Sequence, residues 1–165
     1  MTNEIILFIL VGVTLSTGLV AGVFLTFSDF VMRSLKGAAP AAGAEAMQVI
    51  NREVYRSVFM VLLVGMVPVS IVVAIAAIIL VDTAVAIWLI TAGGIYVFGV
   101  MLVTLARNVP MNQRLEAMPQ GGAEAQAYWP SYVRGWLVWN HVRTIASLAA
   151  TAAYLYGAIQ FAATI

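Results

Sequence analysis

Four long apolar stretches dominate the pattern of hydrophobic and polar positions along the chain. A helix needs about 20 mostly apolar residues to cross the hydrocarbon core of a bilayer. The stretches that meet this requirement are residues 5–27, 57–81, 83–106 and 135–163. We therefore predict an all-α fold, in which residues 1–165 form a single integral membrane domain, a four-helix bundle with both termini on the same side.

The connections between these spans predict how the helices are joined. Between the second and third spans, only the short segment VDTA interrupts the apolar pattern, so these helices should form a tight antiparallel hairpin. The first connection holds the flexible segment KGAAPAAGAE and becomes helix-favouring from Ala44, which predicts a helix that leads into the second span. The third connection is broken by MPQGG, and Pro130 suits the first turn of the last helix.

The basic residues lie in or beside the first and third connections, and their position predicts the orientation in the membrane. They are Arg33, Lys36, Arg52, Arg56, Arg107, Arg114, Arg134 and Arg143. With four spans these two connections share one side, which the positive-inside rule makes cytoplasmic. The sequence thus predicts a multi-pass protein of the plasma (cell inner) membrane, with the basic connections 28–56 and 106–134 in the cytoplasm and both termini outside.

The composition agrees with a membrane protein and argues against several kinds of site. The chain is 63% hydrophobic and only 9% charged, whereas soluble domains carry about 25% charged residues. It has no cysteine, a single histidine and no glycine-rich phosphate loop, so we expect no metal ion and no haem or nucleotide cofactor. A net charge of +1 gives no general attraction for nucleic acid. The expected surroundings are membrane lipids.

The last span begins with WLVWNHVRTIASLAA, in which polar residues recur at helical spacing. Because a helix turns by about 100° per residue, one stripe of the surface collects several of them. The members of this stripe are Trp136, Asn140, Arg143, Ser147, Thr151 and Tyr154. An arginine exposed to lipid is costly, so the stripe should face the bundle interior or a polar cavity. His141 lies about 140° from Trp136 around the helix, outside the stripe.

Two further predicted helices carry polar faces at the same depth. Gln48, Asn51 and Tyr55 follow one another at i, i+3 and i+7 on the helix that precedes the second span. A second face follows at i, i+4 and i+8, if the third helix continues through Pro110, and it holds Thr104, Asn108 and Asn112. Together with Arg143, these faces predict a polar cluster near the cytoplasmic end. The spacing favours equally a ligand site and a structural cluster that fixes three helix ends.

Four segments of the chain, in order, resemble the DUF1772 family of small membrane proteins, which is also called the anthrone oxygenase family. They are GLVAGVFLTFSDFVMRSL, AMQVINREVYRSVF, RNVPMNQRLEAM and WLVWNHVRTIASLAA. The most specific motifs are M-Q-x-x-N, N-x-P-x-N and W-x-x-x-N-H-x-R. Their residues here are Met47, Gln48, Asn51, Asn108, Pro110, Asn112, Trp136, Asn140, His141 and Arg143. The resemblance covers nearly the whole chain.

This resemblance implies a cofactor-independent oxygenase that uses O2 to oxidise a hydrophobic polycyclic aromatic or quinone-like molecule, such as an anthrone. It implies that the catalytic residues are His141, as the base, with Arg143 and Asn140. It further implies that the substrate is bound by Asn51, Gln48, Tyr55, Asn108, Asn112 and Trp136. Because helical spacing takes His141 out of the polar stripe, we expect the centre of the site at Asn140 and Arg143.

Two other functions stay open. The chain can instead be a non-catalytic accessory subunit of a larger membrane protein complex, in which the polar cluster would stabilise the fold or hold the partner. It can also be a module that binds a lipid or a quinone between its helices without turnover. Neither alternative needs a cofactor.

Overall fold

The all-α prediction is confirmed. Residues 2–165, which the computed structural model describes, are 91% helical and include no strand. The α-helices are α1 (Thr2–Thr26), α2 (Met32–Gly37), α3 (Pro40–Glu53), α4 (Val58–Leu80), α5 (Thr83–Gly94), α6 (Val109–Glu116) and α7 (Ala123–Ala162). Wider, π-helical turns occupy Phe27–Val31, Ile95–Leu102 and Thr104–Asn108, and a 3-10 turn occupies Val54–Arg56.

Four continuous rods are long and apolar enough to cross a membrane. They are Asn3–Gly37, Val58–Leu80, Thr83–Glu116 and Ala123–Ala162. The first and third rods include π-helical turns, so that α1 continues into α2 and α5 into α6 without a break. The four-helix membrane fold is therefore confirmed, and three of the rods extend beyond the predicted spans. The predicted sidedness, with the termini outside, stays a prediction.

The last rod begins earlier than the sequence predicted. Helix α7 starts at Ala123, and Pro130 lies inside it rather than in its first turn. A proline in this position removes a backbone hydrogen bond. Its cost is offset because the residues around it, including Trp129 and Tyr132, are buried against Met47 and Leu115. Tertiary packing therefore overrides the local signal for a helix start.

Two apolar clusters mark the two parts of the bundle. The larger one joins α1, α4, α5 and α7 along most of the rods. The smaller one lies among α2, α3, α6 and the first turns of α7, and its centre includes Met32, Met47 and Leu115. We call this part the basic end, because it is built from the two basic connections. The polar faces predicted from the sequence lie where the two clusters meet.

Candidate functional site

An apolar cavity of about 280 Å3 opens inside the bundle next to the basic end, and we call it the chamber. Its size lies at the lower limit of the range of roughly 300–1,000 Å3 that is usual for ligand pockets. Most of its wall is aliphatic or aromatic, including Phe24, Phe27, Phe59, Leu63 and Met101. The polar or amphipathic side chains of the wall are Asn51, Tyr55, Thr104, Asn108, Asn112, Trp136 and Arg143. Its dimensions suit one small, flat, hydrophobic molecule with a few oxygen atoms.

Arg143 is held in the chamber wall by neutral groups. It is only 5% exposed. One terminal nitrogen donates to Asn140 Oδ1 at 2.8 Å and the other to Thr104 Oγ1 at 3.3 Å. The guanidinium carbon lies 4.3 Å from the centre of the Phe24 ring and 5.2 Å from that of Trp136. In the described chain Arg143 has no acidic partner, and its Nε has no hydrogen-bond partner. A negatively charged ligand group would supply both.

Asn140 fixes Arg143 in this position. Asn140 is fully buried, and its Nδ2 donates to the carbonyl of Phe24 and to Ser28 Oγ, both at 2.8 Å. Because a carbonyl can only accept, the Oδ1 of this amide must turn to Arg143. Ser28 lies in the π-helical turn Phe27–Val31. Turns of this kind disturb the helical hydrogen-bond ladder and are frequent at functional sites.

His141 lies outside the chamber. Its side chain is on an exposed surface and does not line the cavity. Its Nδ1 is 2.9 Å from Ser28 Oγ, which also lies 3.0 Å from Thr144 Oγ1. His141 therefore connects with Asn140 and Arg143 only through Ser28. Sequence analysis did not identify Ser28; the one available signal was a hydroxyl residue at the end of the first apolar stretch.

The N-x-P-x-N motif forms a continuous face on the third rod. Pro110 lies in the first turn of α6, where its missing N–H is tolerated, and the helix continues past it. Asn108 Nδ2 donates to the carbonyl of Trp136 at 3.2 Å. Asn112 Oδ1 accepts from Trp136 Nε1 and from the Tyr132 hydroxyl, both at 2.9 Å. The two asparagines thus fix Trp136, while Asn108 Oδ1 is buried without a partner.

Of the three residues on the polar face predicted before the second span, two line the chamber and one does not. Asn51 lines the chamber, is 7% exposed, and has a buried Nδ2 without a hydrogen-bond partner. Tyr55 lies at the edge of the chamber and is 64% exposed. Gln48 does not line the chamber. Its Nε2 donates to the carbonyls of Leu115 and Met118, at 2.9 and 3.0 Å, and its Oε1 accepts from Gly121 N at 3.2 Å.

These bonds correct the expectation that Gln48 contacts the substrate. Its amide is fully used in closing the turn between α6 and α7, so it has no free atom for a ligand. The residues that sequence analysis missed are the apolar ones of the chamber wall. Phe24 and Phe27 are spaced i, i+3 and lie on one face of the first rod, which is the signal that could have found them.

The chamber opens in two directions. Helix α4 packs against Ile95–Leu102, but within the described residues its backbone does not approach Thr104–Asn108. The gap is bordered by Val64 and Leu105, which are exposed on the side that would face lipid. Towards the basic end, the chamber adjoins a polar depression of about 680 Å3, which we call the vestibule. Its lining is Asn51, Arg52, Tyr55, Arg56, Asn112, Gln113, Glu116 and Ala117.

The chemistry available in the chamber follows from its unpaired atoms. Asn51 Nδ2 and Arg143 Nε are donors without acceptors, and Asn108 Oδ1 is an acceptor without a donor. Across residues 2–165, no three His, Cys, Asp or Glu side chains are grouped so as to hold a metal ion. The chamber therefore offers hydrogen bonds from amides and a guanidinium to the oxygen atoms of a ligand.

Comparison with known proteins identifies a protein family whose sequence model matches the chain. The family model described as Anthrone oxygenase matches residues 52–153. This interval is more than half of the chain and includes Asn108, Trp136, Asn140 and Arg143. No curated protein and no solved structure matches the chain.

Proposed function

The chain belongs to the anthrone oxygenase family, and from this premise we propose that it is a membrane-embedded, cofactor-independent oxidoreductase. Its substrate is a flat, hydrophobic, polycyclic aromatic or quinone-like molecule that enters the chamber. The observation that carries this proposal is the buried Arg143, whose Nε has no partner in an otherwise apolar cavity. A positive group in such a place is suited to stabilise negative charge that develops on a bound molecule.

The unpaired atoms indicate which oxygen groups would fit. The Nδ2 of Asn108 must face the carbonyl of Trp136, so its free Oδ1 requires a donor such as a hydroxyl group. Asn51 Nδ2 and Arg143 Nε require an acceptor, such as a carbonyl or a phenolate. Each buried polar atom that gains a partner recovers roughly 1–3 kcal/mol. A ring system that carries both a hydroxyl and a carbonyl group meets these demands.

A hydroxyanthrone has both groups and can react with O2 without a cofactor. Loss of a proton from its CH2 carbon gives an enolate, whose negative charge lies on the carbonyl oxygen and on that carbon. The enolate transfers an electron to O2, the resulting radicals combine to a peroxide anion, and this anion takes up a proton to form the hydroperoxide. Loss of the remaining proton from that carbon, with cleavage of the O–O bond, gives the quinone and water. One oxygen atom of O2 thus enters the product and the other leaves as water.

In this reaction Arg143 would stabilise the enolate oxygen, and Asn140 would position Arg143 through the 2.8 Å hydrogen bond. Two aromatic side chains of the chamber wall, Phe27 and Phe59, would pack against the substrate. His141, which the resemblance implies as the base, would have a different role here. Because His141 does not reach the chamber, it would act only as a support of Asn140 through Ser28, and the substrate proton would pass to water in the polar vestibule.

A second candidate function is supported by the lateral gap between α4 and Thr104–Asn108. An opening bordered by Val64 and Leu105 would admit the tail of a quinone or a lipid from the bilayer. In that case the chamber would hold its ligand without oxidising it. The two functions share the cavity and differ only in turnover.

Turnover with labelled O2 separates these functions. The purified protein in lipid nanodiscs is mixed with an anthrone under isotopically labelled O2, and quinone formation is followed against heat-denatured protein, because anthrones also oxidise slowly without an enzyme. We expect faster formation of the quinone, with one labelled oxygen atom in each molecule. Arg134→Gln is a matched control, because Arg134 is exposed on the same helix and does not line the chamber. Binding without acceleration would support the second function, and an absence of binding would contradict both.

A further inference from the structure

The vestibule is a second compartment of the same site. It shares Asn51, Tyr55 and Asn112 with the chamber, so these side chains form the boundary between an apolar and a polar space. The chamber accepts a ring system, whereas the vestibule is lined by charged and amide side chains. A molecule that filled both would have an apolar ring system at one end and a polar group at the other.

The two arginines of the vestibule differ in what they already bind. Arg52 donates to Glu116 Oε1 at 2.7 Å and to Gln120 Oε1 at 3.4 Å. Arg56 has neither an ion pair nor a hydrogen bond from its side chain to any of residues 2–165. Glu116 is the acidic residue of the lining; Arg52 engages its Oε1, whereas its buried Oε2 has no hydrogen-bond partner. With two arginines and one carboxylate in the lining, a net positive charge remains, and it lies at Arg56.

The backbone that carries Arg56 is held in place. Arg56 ends the 3-10 turn Val54–Arg56, and Ser57 then caps α4. Ser57 Oγ donates to the carbonyl of Val54 at 2.6 Å and accepts from Met60 N at 3.2 Å. Because these bonds fix the turn, the position from which the Arg56 side chain reaches into the vestibule is also fixed.

We propose that the vestibule binds an acidic substituent of the substrate, a carboxylate or a phosphate, through Arg56. The inference rests on the proposed function, since it takes the chamber as the site of the ring system. A guanidinium is well suited to a planar anion, which it can hold by paired hydrogen bonds. The substrate class is thereby narrowed to amphipathic aromatic acids, with the acidic group directed to the basic end.

The experiment compares two ligands that differ only in charge. Anthraquinone carboxylate and the corresponding carboxamide are titrated into the protein in phosphatidylcholine nanodiscs, and binding is read from the quenching of tryptophan fluorescence. We expect the carboxylate to bind roughly fivefold more tightly than the carboxamide, as for an ion pair that stays partly in water. Arg56→Gln should remove this difference. Lys36→Gln, which takes the same charge from an exposed site of the basic end outside the vestibule, should retain it.

Each other outcome contradicts a definite part of the proposal. If both ligands bind wild-type protein equally, or if Lys36→Gln removes the preference as Arg56→Gln does, the acidic subsite is wrong while the chamber stands. If anionic phosphatidylglycerol in the nanodisc abolishes the preference, Arg56 holds a lipid headgroup instead of a substrate acid. If neither ligand binds, the proposed function fails together with the subsite.

Discussion

Gln48 and Asn51 lie one helical turn apart on α3, are both buried, and have the same functional group. The amide of Gln48 is fully paired with the backbone between Leu115 and Gly121. The Nδ2 of Asn51, in contrast, makes no hydrogen bond of ordinary geometry, although the Tyr132 hydroxyl lies near the Asn51 side chain, and Asn51 lines the chamber. A buried polar group without a partner costs free energy that a paired one does not. We propose that, within the chamber wall, this difference distinguishes side chains that bind a ligand from those that build the fold.

The other polar side chains of the cluster also differ in this way: some are engaged with protein groups, and others keep one buried atom unpaired. Asn112 and Asn140 are engaged with protein groups and hold Trp136 and Arg143 in place. Asn108 and Arg143 each use some atoms to bind the protein and leave one buried atom unpaired. We therefore propose that the two alternatives left open by the spacing, a ligand site and a structural cluster, both apply, in neighbouring residues.

The largest effect is expected for Arg143→Gln. Removal of a group that stabilises developing charge costs about 100- to 1,000-fold in turnover. Since Arg143 has no acidic partner, loss of its charge also removes a desolvation cost, and the free energy of unfolding should fall by less than about 1 kcal/mol. Turnover of an anthrone and unfolding in detergent measure the two quantities. A large loss of stability with unchanged turnover would show that Arg143 stabilises the fold and does not act on the substrate.

The second largest effect is expected for Gln48→Leu, whose loss of stability is compared with that of Asn51→Leu. Gln48→Leu removes three hydrogen bonds and leaves the Met118 carbonyl and the Gly121 N–H unpaired, whereas the Leu115 carbonyl keeps the bond from Met118 N, so the free energy of unfolding should fall by about 3 kcal/mol. Asn51→Leu buries no new unpaired atom and should change stability by less than about 1 kcal/mol, while weakening ligand binding. Equal destabilisation in this matched pair would show that unpaired atoms do not mark the site.

Much of the fold could be predicted from the sequence, because apolar length and helical period are local properties. Four apolar stretches predict four rods, and the period of 3.6 residues places Arg143 inside and His141 outside. The different roles of Gln48 and Asn51 could not be predicted, since the partners of Gln48 lie near Leu115, far along the chain. Ser28 was missed because it lies in a π-helical turn, where counting by α-helical spacing fails.

Ser28→Ala tests whether Ser28 positions Arg143 through Asn140. The variant removes one acceptor of Asn140 and leaves the other, the carbonyl of Phe24, in place. We expect turnover to fall by about tenfold with little change in KM, because a positioning bond of about 1 kcal/mol or slightly more is lost. Ser28→Thr keeps the hydroxyl group and should restore most of the rate. A rise in KM alone, without rescue by threonine, would contradict the positioning role.

The smallest effect is expected for His141→Ala. His141 is exposed and reaches the chamber residues only through Ser28, so turnover should change by less than about threefold. The rate is measured between acidic and alkaline pH in wild type and variant. A loss of about 100-fold or more, as for removal of a direct general base, would show that His141 enters the site during the reaction.

The central claim is that the unpaired atoms of the chamber bind the oxygen groups of a flat ligand. A high-resolution structure with a bound hydroxyanthraquinone tests it most directly. We predict the ring system inside the chamber, with a ligand oxygen about 2.7–3.2 Å from Arg143 Nε and the ligand hydroxyl at a similar distance from Asn108 Oδ1. A ligand bound elsewhere, with a lipid chain in the chamber and these atoms still unpaired, would contradict the claim.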